Sequence, residues 1–327
     1  MQLMTWQIAR LGSRFGLTLE PYRRRVLHSA MGRFLDAPLD LAVGLVEPGG
    51  VERVLPFTQD GELLNNCEMF DRVNSVTYRG YSERYRLRLE LNLHATFYPQ
   101  HEALSLLPAL FVEVRVNPSG PVRWHKQAGQ TPEAVELFVR LKRGETELEP
   151  WSDHEGRPGL AMRYAAPLTP RLDQMHAVAG GTPADVPAGG VVPATVAAEE
   201  RLVSLNDAAT ATALEGGGAE MRLKLPVTRE GSGTKWRMVW AAHVSEPVLY
   251  FADGPKGGAD ATRAKAEDAT AGATFKYAEH WARVEDVVIE AIKARDDALA
   301  LSRRFEKVLE QARADDPTVS CLRDVWP

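Results

Sequence analysis

The stretch SDHEG brings three metal-ligating side chains together, Asp153, His154 and Glu155. Neighbouring side chains diverge in extended chain, so a metal there would need ligands from elsewhere, and no metal is expected. His94 and His243 each close a run of alternating residues and read as strand-surface or edge residues before they read as catalytic bases. GSGTK, beginning at Gly231, has the glycines of a phosphate loop without the spacing of a Walker motif, and reads as a hairpin turn. Trp124 and Trp151 stand near turns, where an indole face can stack on a sugar ring or pack at a boundary; they are the candidate carbohydrate-binding residues. Nothing in the order of the acidic residues selects two carboxylates with separated pKa values. The nucleophile elbow, the P-loop, the dinucleotide fingerprint and H-E-x-x-H are all missing, so no catalytic residue is assigned and no cofactor is expected.

The elements that would position these residues are mostly strands. YRLRLELNLHATFYP, residues 85–99, places Tyr85, Leu87, Leu89, Leu91 and Leu93 on one side of an extended chain and Arg86, Arg88, Glu90, Asn92 and His94 on the other. Such alternation predicts a strand with one buried face, the habit of antiparallel sheets, and so a sandwich. LDLAVGLVEPGGVERVLPF predicts a hairpin about Pro48 and Gly49. Val112, Val114 and Val116 alternate with Glu113 and Arg115, EAVELFVRLKRG and EMRLKLPVT repeat the pattern, and Trp236, Met238 and Trp240 share a face. Strand signals run from Leu39 to about Val244. The segment 151–218, rich in Gly, Pro and Ala, reads as long hairpin loops within one sheet system, the alternative being a linker between two β domains.

From about Thr274 the pattern changes. FKYAEHWARVEDVVIEAIKARDDALALSRRFEKVLEQAR has no Gly or Pro and sets Trp281, Val284, Val288, Ala291, Ala298, Phe305 and Leu309 at helical spacings. One long helix is predicted, or two separated near Arg295. The organisation expected is therefore a large antiparallel β-sandwich over 1–272, a helical connector over 273–314 and a short irregular tail over 315–327. Val287, Ile289, Ile292 and Leu301 are more apolar surface than one stripe requires, so the helix is expected either to dock on the sheet or to pair with another chain, with self-association through helix 275–312.

A net charge of −5 gives no electrostatic case for nucleic acid, and no segment approaches the length of a membrane span. Arg10 and Arg14 interrupt the amino terminus before any apolar run is long enough for a signal peptide, so a cytoplasmic location is expected. The two cysteines, Cys67 and Cys321, have no metal or disulfide spacing and are expected to be unpaired thiols.

LDLAVGLVEPGGVERVLPF, FDRVNSVTYRGYSERYRLRLELNLHATFYPQ and FKYAEHWARVEDVVIEAIKARDDALALSRRFEKVLE together resemble the amino-terminal region of glycoside hydrolases in the group of the family 52 β-xylosidases and family 116 β-glucosidases. The likeness covers about residues 37–118 and 233–311, as pattern and order rather than as an invariant motif. It implies an amino-terminal β-sandwich, a long connector helix and then an (α/α)6 barrel, which carries the catalytic carboxylates in that group. The residues after Arg313 are too few for such a barrel, so no catalytic carboxylate transfers to a numbered position. The expected function is a non-catalytic sandwich module, a shortened or separately encoded product that supports a barrel or binds carbohydrate. A self-contained enzyme with its site in the sandwich, built from residues such as His94, Glu90, Asp153 or His243, is the alternative; a cleft with two carboxylates about 5–10 Å apart would favour it and a flat polar sheet face would count against it. A protein-interaction scaffold is the third reading.

Overall fold

The computed structural model describes residues 4–9, 15–29, 37–119, 131–144, 146–168, 194–227, 234–244, 249–252, 269–273 and 275–315. In chain order the first strands are β1 (Trp6–Ala9), β2 (Gly16–Glu20), β3 (Arg25–Ser29), β4 (Ala37–Val46), β5 (Glu52–Val54), β6 (Glu62–Leu63), β7 (Asn65–Asp71), β8 (Ser75–Ser82) and β9 (Leu87–His94). A short helix α1 (Glu102–Leu106) precedes β10 (Ala109–Pro118), β11 (Ala134–Lys142), β12 (Glu147–Ser152), β13 (Pro158–Leu168), β14 (Ala194–Ser204), β15 (Thr210–Ala213) and β16 (Ala219–Pro226). After these come β17 (Thr234–His243), β18 (Leu249–Ala252), β19 (Ala269–Ala273) and the long helix α2 (Val284–Asp315).

The fold is mainly β, as the alternation predicts. Sheet I runs β1-β2-β3-β4-β11-β16-β15, with β5 and β6 attached beside β4; sheet II runs β12-β13-β14-β17-β10-β9-β8-β7; β18 and β19 pair separately. Neighbours are antiparallel except β5 with β6. The segment 151–218, read as long hairpin loops, instead contributes the long strands β13 and β14 to sheet II and β15 to sheet I, so its described parts belong to the same sheet system; their Ala-rich strands lack the strong alternation that marks the others. Strands also begin earlier than Leu39: β1, β2 and β3 precede it, short segments whose alternation is weak in the sequence alone.

One core lies between the sheets. Leu41, Val43 and Leu45 of β4 and Leu137 and Val139 of β11 meet Leu87, Leu89, Leu91 and Leu93 of β9, Val112, Val114 and Val116 of β10, and Trp236, Met238 and Trp240 of β17. The predicted hairpin forms between β4 and β5, with Gly49 (φ 101°) and Gly50 (φ 86°) in the left-handed region that favours glycine. The strand of the 85–99 stretch starts only at Leu87, because Arg86 turns the chain at φ 54°.

A second cluster lies outside sheet II. Phe111, Val203, Val239 and Ala241, on its outer face, pack with Tyr277, Trp281, Val284, Val287, Val288, Ala291, Ala298 and Leu299. The helix is single and runs through Arg295 without a break, but it begins at Val284; residues before it form a 3₁₀ turn, Lys276–Glu279. Its start is set by Asp286, whose carboxylate accepts the Arg283 N–H at 3.1 Å, half of a capping box. At 1.5 Å per residue α2 extends about 48 Å across the sheet. Val287 is fully buried by this docking, whereas Ile289 and Val308 remain exposed. Among the described residues no helix is long and apolar enough to cross a membrane.

Candidate functional site

The outer face of sheet II divides into two zones. The apolar zone holds Phe111, Val239 and Val203, which stand side by side in register, and α2 covers it. Beside it lie charged rows. Glu113 stands between Asn92 and Arg237, and Arg115 stands between Glu90 and Lys235, with Arg79 next to Glu90 on β8. Alternation places all of these on one face, and pairing register brings opposite charges side by side.

Both carboxylates of these rows are paired with arginines. Glu90 lies 2.8 Å from Arg79 Nε and 2.9 Å from Arg88 Nε. Glu113 is ion-paired with Arg115, and its Oε2 is 3.6 Å from Arg237 Nε and 3.7 Å from Arg295 Nη2, the latter reaching down from α2. Burial pulls the Glu113 carboxyl upward, but Arg115, Lys235 and Arg295 outweigh it and hold it below the ordinary carboxylate range. A general acid needs the opposite shift. The charged row of β9 is therefore only partly solvated: Glu90 is 5% exposed. Thr77 donates to Asn92 Oδ1 at 2.6 Å, and the Arg79 guanidinium lies 4.2 Å above the Phe70 ring.

The helix is pinned at both ends by polar contacts. Near its start, the buried Arg201 of β14 reaches Glu285 and Glu199, each at 3.1 Å. Toward its end the Asn74 N–H donates to Glu306 Oε1 and the Asn74 side-chain amide to Ser302 Oγ, each at 3.1 Å. Burial raises the Glu306 carboxyl above its usual range. It faces a backbone N–H between helix and sheet, and the Glu310 charge also raises it, while the Asn74 N–H, Arg72 and Arg303 lower it.

The residues singled out from sequence do not converge. Asp153 caps the turn between β12 and β13: it accepts the N–H groups of Glu155 (3.0 Å) and Arg157 (2.8 Å) and the Arg157 side chain (2.6 Å), while His154 and Glu155 are exposed. Burial raises the Asp153 carboxyl, but these bonds, Arg157's first, bring it below its ordinary value. His243 is buried with Nε2 2.8 Å from the Trp281 carbonyl, fixing the segment that leads into α2. His94 is half-buried near α2, and burial, reinforced by the Arg303 charge, lowers its pKa to about 4. Trp151 is half-buried under the Arg201 guanidinium, 5.3 Å from its ring. Trp124 and residues 231–233 of the GSGTK turn lie outside the described residues. Cys67 is a free thiol, pushed up to about 11 by burial; Cys321 also lies outside the described residues.

A polar centre that sequence reasoning missed lies inside the sandwich. Glu200 of β14, 1% exposed, accepts from the Tyr164 hydroxyl at 2.7 Å and from Trp240 Nε1–H at 2.8 Å, and lies 2.9 Å from His28 Nε2 on the opposite sheet. Its signal was present: the spacing Ala198, Glu200, Leu202 puts a carboxylate on an inward face. A sandwich core admits a charge only when it is paired and hydrogen-bonded, and here the partners link sheet I to sheet II. On the outer face of sheet I, Arg140 and Arg222 bind Glu52, Glu136 and Glu220 in a similar closed network.

A cleft of about 380 Å³ opens where α2 crosses β17, lined by Asn206, Lys235, Arg237, Lys293, Arg295 and Asp296 together with apolar side chains. No protein-family model matches the chain, and no curated protein matches it in sequence.

Proposed function

We propose that this chain acts as a non-catalytic β-sandwich module of a glycoside hydrolase-like protein, presenting the charged outer face of sheet II and helix α2 to a barrel domain or to carbohydrate. The observation that carries the reading is the state of the two carboxylates on that face. Glu90 and Glu113 are each tied to several arginines on a sheet surface, an arrangement suited to recognition and unsuited to an acid and base working at separated pKa values. The order of elements, a large antiparallel sandwich followed by one long helix lying across it, agrees with the resemblance carried by residues 37–118 and 233–311. The purified chain is expected to give no turnover of aryl β-xylosides or aryl β-glucosides. Hydrolysis that disappears in Glu113→Gln or Glu306→Gln would place a catalytic site in the sandwich and overturn the reading.

A further inference from the structure

The cleft beside α2 holds more positive charge than the fold requires. Lys235 and Arg237 come from β17 and Lys293 and Arg295 from α2, and all four line it. Outside the lining, Glu113 is engaged by Arg115, and its Oε2 stands 3.6 Å from Arg237 and 3.7 Å from Arg295, beyond the range of a normal N–H···O hydrogen bond. Arg295 is 7% exposed, its Nε has no hydrogen-bond partner, and its Nη1 donates to Asp296 Oδ1 at 2.7 Å. Burial and then the facing Arg237 charge push this guanidinium below its ordinary range, so the two cations are held together against repulsion. Among the described residues neither Lys235 nor Lys293 has a carboxylate within 4 Å, although the Lys235 charge acts on Glu113. Asp296, the one acidic group in the lining, has a side chain 88% exposed at the mouth.

We propose that this cleft binds the phosphate group of a small phosphorylated molecule, with Arg237 and Arg295 donating to its oxygens and Lys235 and Lys293 supplying charge at the entrance. Against four lining cations stand Asp296 and Glu113, which leaves two positive charges uncompensated even before Arg115 is counted. A phosphate monoester carries a matching double charge and offers its oxygens to the guanidinium forks; a carboxylate offers half that charge. The volume also accommodates a small organic body beyond the phosphate. The inference stands apart from the proposed relation to glycoside hydrolases, since it concerns a site at the edge of α2 whose occupancy hydrolysis assays do not read.

Isothermal titration calorimetry at low salt with inorganic phosphate and with glucose 1-phosphate tests it. Saturable binding at one site is expected. Lys235→Ala and Lys293→Ala, both of partly or fully exposed residues, should each weaken it by about tenfold, the loss of one charge-assisted contact. Asp296→Asn should tighten it several-fold, which a purely structural role for these residues would not do. Tighter binding of glucose 1-phosphate identifies an organic phosphate as the ligand, and equal affinity identifies the free anion. Absence of saturable heat with both probes, or an affinity unchanged in the Lys235→Ala/Lys293→Ala double variant, overturns the proposal.

Discussion

Replacing Glu200 by leucine keeps much of its volume but removes the acceptor for two buried donors, the Tyr164 hydroxyl and Trp240 Nε1, and the partner of His28. A buried donor left without a partner costs about 1–3 kcal/mol, and here two donors and His28 lose theirs together. Glu200→Leu is therefore expected to lower stability by more than about 3 kcal/mol in urea titrations, with Glu200→Gln losing less because its amide oxygen still accepts. A loss below about 1 kcal/mol for the leucine variant would show that the centre is dispensable. The same centre keeps Tyr164 a neutral phenol: burial, then the Glu200 charge, raises it well above its ordinary value. Sequence spacing marks Glu200 as an inward carboxylate, but its partners lie 36, 40 and 172 residues away, and no local pattern announces them.

At the scale of the element, α2 is where helix propensity and sheet chemistry meet. Its apolar stripe was legible, since Val284, Val288, Ala291 and Ala298 recur at helical spacing and all are buried. Its starting point was not, because the residues before Val284 are held by tertiary contacts: the Tyr277 hydroxyl accepts the Val244 N–H at 2.9 Å, and His243 meets the Trp281 carbonyl. The helix also sets the state of His94, which faces Arg303 and Arg295 from α2 and Glu113 and Arg115 from β10. Its folded pKa of about 4 lies below the ordinary 6.5, so the unfolded chain takes up the proton first as the pH falls. The contribution of neutral His94 is complete above pH 6.5 and is lost as the pH falls toward 4; allowing for its partial exposure, this amounts to about 2 kcal/mol. Urea midpoints of wild type and His94→Asn at pH 7.5 and 4.5 check it. The variant should lose less stability between the two, and parallel losses would remove His94 from the account.

At the scale of the molecule, the two large sheets and α2 form three layers among the described residues, and these are expected to unfold together. The helix buries Phe111, Val203, Val239 and Ala241 of sheet II, so releasing it would expose a second apolar cluster while the sandwich remained intact. Helical circular dichroism, which reports α2, and tryptophan fluorescence, to which the buried Trp236 and Trp240 contribute, should therefore give coincident urea transitions. An earlier loss of helix would make α2 an independent unit. Read by itself, the sequence determined the class of fold and the inward faces of β9, β10 and β17, though not those of β13 and β14, because period-two alternation and helical spacing are local consequences of backbone geometry. Tertiary structure decided which strands neighbour one another, that the charged row of β9 is ion-paired and half-buried, that Glu200 bridges the sheets, and that four cations surround one cleft. Each of those depends on register between strands far apart in the chain, and register is set by the packing of the whole core.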